Sequence, residues 1–143
     1  MRGTVLQIAG ALTLLSVIPH AFLAWPSFRR DLLATGVDPN VVGALAAGWM
    51  FGSTAMVVFG VLGLVAGARL RRGDRSGVTV MRIVALAYVL FGAAAFVARG
   101  MNPHFMYFVA IGVLIAAPLT GLPAGGAAGI TPGAAGGEPG AGR

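Results

Sequence analysis

Four stretches of about 20 residues run through this chain with almost no charge, separated by short connections that hold most of its arginines. A helix needs about that many apolar residues to cross a hydrocarbon core of roughly 30 Å, so each stretch is long enough to span a membrane. The runs cover residues 4–25, 41–68, 78–98 and 104–122, leaving little chain for a soluble catalytic domain. Composition agrees: hydrophobic residues make up 57% and charged residues 10%, with mean hydropathy +0.88. A soluble domain carries roughly a quarter charged residues. The chain therefore reads as an all-α integral membrane protein, four transmembrane helices in a bundle.

The helix starts carry their own signals. Asp38-Pro39 and Asn102-Pro103 each read as an N-cap followed by proline at the first helical position. Gly36 and Gly100 lie just upstream, where a preceding helix needs a left-handed residue to stop. Ser27 to Thr35 fits either a short helix along the membrane surface or an ordinary solvated loop. Orientation follows from arginine asymmetry, because positively charged loops stay in the cytoplasm. Arg2, Arg69, Arg71, Arg72, Arg75 and Arg143 fall on one side with Arg82 close by, against Arg29, Arg30 and Arg99 on the other. Both termini are expected to be cytoplasmic, with the first run retained as a signal anchor. From residue 121 to 143 the chain is almost all glycine, alanine and proline, which predicts a disordered cytoplasmic tail.

The second run is rich in glycine. Gly48 and Gly52, and again Gly63 and Gly67, have the four-residue spacing that lets membrane helices approach closely. Van der Waals packing has to supply the contact energy where lipid removes the hydrophobic drive, so this run is expected to be the central packing element. The same geometry serves packing within the bundle, a homo-oligomer or a partner subunit.

Ionisable groups inside a span are costly and are functional candidates by default. His20 follows Pro19 in the first run, where proline should kink the helix and free the Leu15 carbonyl, with Ser16 placed to satisfy it. His104 and Tyr107 begin the fourth run on the same outer side, and Trp49 lies in the outer half of the second. These four side chains could line one pocket for haem, a metal ion, a quinone or a lipid head group. A hydrogen-bonded structural histidine and an interfacial aromatic belt account for the same residues without a ligand. At the other end, Arg69, Arg71, Arg72 and Arg75 form a basic cluster that attracts anionic lipid or simply sets topology. Arg82, one turn inside the third run, can snorkel to the interface.

No Asp or Glu lies within the four runs, which disfavours an exporter driven by a buried carboxylate, and there is no cysteine for thiol redox chemistry. No Ser-His-Asp set, HExxH motif or phosphate loop appears. The formal charge of +6 does not indicate nucleic-acid binding, because the arginines are interspersed between apolar runs. All ten basic residues are arginine, and the alanine and glycine bias points to a GC-rich bacterial genome and an inner-membrane location. The leading expectation is a non-enzymatic accessory or interaction subunit packing through the glycine face, within a homo-oligomer or larger membrane complex. The alternatives are a redox-linked subunit holding quinone or haem near His20, and a small-solute permease.

Overall fold

Two prolines, Pro19 and Pro26, fall within one helical segment, and the helix breaks at neither. In the computed structural model, which describes residues 1–123, helix α1 (Arg2–Ile18) passes through a π-helical turn (Pro19–Ala24) into α2 (Trp25–Ala34). The wider turn gives the proline ring room that the ordinary i to i−4 ladder denies it. Its closing bond runs from the Trp25 N–H to the His20 carbonyl, one residue further back than in an α-helix. The stretch from Ser27 to Ala34 is therefore neither a separate surface helix nor a loop, but the continuation of the first helix. Ser16 does not serve the Leu15 carbonyl either, since its hydroxyl donates to the Leu12 carbonyl at 2.6 Å. The expected tail lies outside the described residues from position 124 onward.

Helix α3 (Pro39–Arg71) opens on the Asp38 side chain, which accepts from the Asn40 N–H at 2.7 Å. It follows α2 through Gly36, whose φ of +78° is left-handed. Helix α4 covers Val78–Ala98. The last apolar segment is not a uniform helix over 104–122: 3-10 turns at Pro103–Phe105 and Ala117–Leu119 flank the 11-residue α5 (Met106–Ala116). Pro118 withholds the N–H that would carry the α ladder on past Ala116, whereas Pro103 stands at the first helical position, where no ladder bond is lost. Three helical segments, Arg2–Ala34, Pro39–Arg71 and Val78–Ala98, are long and apolar enough to cross a membrane, and Pro103–Leu119 is a shorter apolar one.

The segments associate as two close pairs, α1 with α3 and α4 with α5. Glycine makes both possible. A Cβ on Gly10 would stand 2.7 Å from the Gly60 carbonyl oxygen, and one on Gly67 would stand 2.6 Å from that of Gly3. In the second pair, a Cβ on Gly92 would lie 2.8 Å from the Val109 nitrogen, and one on Gly112 would lie 2.8 Å from the Ala85 carbonyl oxygen. Helix α3 is thus not central to the whole molecule. Its glycine surface is used on α1, and its contact with α4 is sparse.

The pairs meet in a core that starts at the end holding Arg2, Arg71 and the α3–α4 turn and runs up to Tyr88 and Ile111. Leu6, Met81, Ile115 and Leu119 are each 1% exposed there, with Ala9, Val84 and Ala85 around them. Thr13 is buried among them with its hydroxyl donating to the Ala9 carbonyl at 2.9 Å. Arg82 does more than reach for the interface. Its guanidinium donates to the Leu119 carbonyl at 2.9 Å and to the Leu122 carbonyl, capping the end of the last helical segment.

Candidate functional site

At the opposite end, the two pairs diverge around His20. The π turn that absorbs Pro19 also presents the His20 ring toward α3, and Trp49 covers one face of it. The rings stack with centroids 4.5 Å apart and planes 9° from parallel, while the Trp49 indole N–H donates to the His20 carbonyl at 3.0 Å. That carbonyl therefore accepts twice, from Trp49 and from the Trp25 N–H. Trp25 and Phe28 pack on Trp49 with ring centroids 5.4 and 5.7 Å away, so the imidazole is backed by an aromatic wall. Gly52 leaves the other flank open: a Cβ there would reach the His20 Nε2 at 3.9 Å.

Two cavities adjoin the ring. One of about 340 Å³ lies between α1 and α5 and brings His20, His104, Tyr107 and Ser16 around one space. The other, of about 250 Å³, lies between α3 and α4 and is walled by apolar and aromatic side chains, among them Ala55, Phe59, Phe91 and Phe108. His20, Met56 and Phe108 line both, so the cavities are neighbouring chambers of one cleft. Trp49 stands behind His20 and lines neither chamber.

The polar groups of this cleft are unequally satisfied. Tyr107 and Ser16 share a hydrogen bond between their hydroxyls, and since Ser16 donates to Leu12, Tyr107 is the donor to Ser16. The Asn102 side chain accepts from the backbone N–H of His104, capping the 3-10 turn. Among the described residues neither imidazole hydrogen-bonds to protein, because His20 is engaged through its carbonyl and His104 through its N–H. A neutral imidazole offers one donor and one acceptor, both left to whatever enters the cleft. Among the described residues no third His, Cys, Asp or Glu joins them in a metal-ligating group.

The remaining candidates separate by environment. Gly63 and Gly67 are closed against α1, whereas a Cβ added at Gly48 would meet nothing within 4 Å, so Gly48 belongs to an open surface of α3. At the arginine end, Arg71 donates to the Gln7 side chain at 3.3 Å and Arg69 to the Ser76 hydroxyl at 3.2 Å, with Asp74 3.9 Å from Arg69. The Ser76 backbone N–H, 2.8 Å from Asp74, holds that carboxyl below its usual range, helped by the Ser76 hydroxyl and by Arg69 and Arg72. Arg72 and Arg75 are exposed, and among the described residues their side chains make no hydrogen bond or ion pair.

Sequence reasoning passed over Met56 and Phe108, since an apolar residue in an apolar run carries no mark of lining a cavity. It also passed over Gly3 and Gly10, although their seven-residue spacing puts both on one helix face. Comparisons with family models, with curated proteins and with solved structures find no match to this chain.

Proposed function

We propose that the protein is a four-helix membrane subunit that acts by binding rather than by catalysis, holding a lipid-soluble molecule in the cleft at its histidine end. The observation that carries this reading is the His20 imidazole, which lines both chambers without a hydrogen bond to protein among the described residues. An imidazole retained only for packing would be expected to find a partner on a neighbouring helix, because an unmet polar group in an apolar setting costs about 1–3 kcal/mol. A bound acceptor or donor meets that need. The π turn at Pro19–Ala24 supports the same reading, since such turns recur where a helix is reshaped for function. Arginine asymmetry favours the histidine end facing outward and both termini facing the cytoplasm, and the composition favours a bacterial inner membrane.

Native mass spectrometry of the protein, gently extracted from its own membrane, tests the reading. A retained small-molecule mass that disappears in His20→Ala supports it. An unliganded spectrum, or a ligand retained equally by His20→Ala, contradicts it.

A second reading, the accessory subunit that docks through α3, draws on the open surface at Gly43 and Gly48, where an added Cβ meets nothing within 4 Å. The same spectrum bears on it: a stable homo-oligomer or second protein that Gly48→Leu removes supports it, and a lone chain contradicts it.

A further inference from the structure

We propose that the cleft takes a neutral, flat-headed molecule with a long apolar tail, of the isoprenoid quinone class, and that this molecule enters sideways from the lipid between α3 and α4. The inference rests on the binding reading above and adds the ligand's chemistry, its orientation and its route.

The two chambers differ in chemistry and in depth. His20 lies about 27 Å along the helix axis from Arg2, close to the far edge of a hydrocarbon core of roughly 30 Å. The chamber holding Ser16, His104 and Tyr107 therefore sits near the outer interface. The apolar chamber reaches from Gly52 down to Phe59 on α3 and from Phe91 to Ala87 on α4, toward the middle of the bilayer. Its mouth is formed by side chains that already face lipid, with Phe91 55% exposed and Ala87 exposed beside it. The sparse contact between α3 and α4 leaves that mouth unobstructed.

This arrangement suits a head at the imidazole and a tail in the bilayer. Met56 and Phe108, which line both chambers, stand at the passage between head and tail. The head must be neutral. Among the described residues neither chamber is lined by an arginine, so a phosphate would enter with no cation to pair it. It should also be flat, because Phe59, Tyr88, Phe91 and Phe108 offer ring faces and edges instead of branched aliphatic bulk. A ring carbonyl can accept from the His20 N–H, and a ring hydroxyl can donate to its bare nitrogen, so oxidised and reduced heads are both accommodated.

The protein reports on this site through its own fluorescence, since Trp49 is stacked on His20 and is one of only two tryptophans. The test is quenching of that emission in lipid nanodiscs by decylubiquinone and, separately, by the tail-less dimethoxy-methylbenzoquinone head. Two variants narrow the apolar mouth away from the imidazole, Ala87→Phe and Ala55→Phe, each first checked for an unchanged gel-filtration profile. The proposal expects at least one of them to weaken decylubiquinone about tenfold, the equivalent of roughly two buried methylenes, while the tail-less head changes less than about twofold. Equal weakening of both probes, or no change for either variant, overturns the lateral, tail-down arrangement and leaves the parent reading standing. Saturable quenching by neither probe in the unaltered protein overturns the ligand class proposed here, and a spectrum without any ligand mass overturns the parent reading itself.

Discussion

The arginine end and the histidine end of this molecule are built from the same helices, yet one is closed and the other is open. Toward the arginine end, glycines bring the α1 and α3 backbones into direct contact, and large apolar side chains fill the space between pairs. At the histidine end, the helices carry His20, Met56, Tyr107 and Phe108 around space that is left unfilled. Small residues remove distance between helices, and bulky or polar ones restore it. Glycine content alone therefore does not locate a partner surface: Gly63 and Gly67 are spent inside the chain, while Gly48 is free.

The comparison is broken most severely by Gly10→Ala. One methyl group would lie 2.7 Å from a backbone carbonyl and 2.8 Å from the Leu64 nitrogen, neither of which can swing aside. The expected cost is about 3 kcal/mol, at the upper end for overpacking, read as a large fall in thermal midpoint or loss of the monodisperse peak. Arg82→Gln should follow, at about 1.5–3 kcal/mol, since it removes charge-assisted bonds to the Leu119 and Leu122 carbonyls. Denaturant titration in mild detergent would show it, and an unchanged midpoint would mean that the cap contributes nothing. Tyr107→Phe deletes one hydrogen bond, to Ser16, at the open end and should cost about 0.5–1.5 kcal/mol. Gly48→Ala should be the smallest, within about 0.5 kcal/mol, because the new methyl meets no neighbour in the chain. A large loss of stability there would show that α3 is covered by another copy or another protein.

Much of the architecture was legible in the residues. Long uncharged runs mark helices, and Asp38-Pro39 and Asn102-Pro103 mark starts that the capping bonds from Asn40 and His104 make concrete. What was not legible follows from physics that periodicity does not carry. Whether Pro19 breaks a helix or is absorbed by a π turn depends on the neighbours that hold the wider turn, here the stacked Trp49. Hydropathy cannot give the rotation of a helix about its axis, and that rotation decides that His20, His104 and Tyr107 meet around one chamber while Trp49 stands behind. Helix pairing was hidden for a similar reason. The glycines of α3 announced a close approach, but only Gly3 and Gly10, one turn-pair apart on the first helix, identify α1 as the surface that accepts it.

The contrast between the ends makes one central claim, that the open end is a ligand site organised by His20 and not merely a packing defect. The most direct test is the thermal midpoint of the purified protein with and without a saturating amount of decylubiquinone, in the unaltered chain and in His20→Ala. Binding at about 100 times Kd should stabilise the unaltered protein by about 2.7 kcal/mol, a rise of roughly 8–10 °C, and His20→Ala should lose most of that rise. No rise in the unaltered protein, or an equal rise in His20→Ala, would mean that the open end is a packing defect and not a site organised by His20.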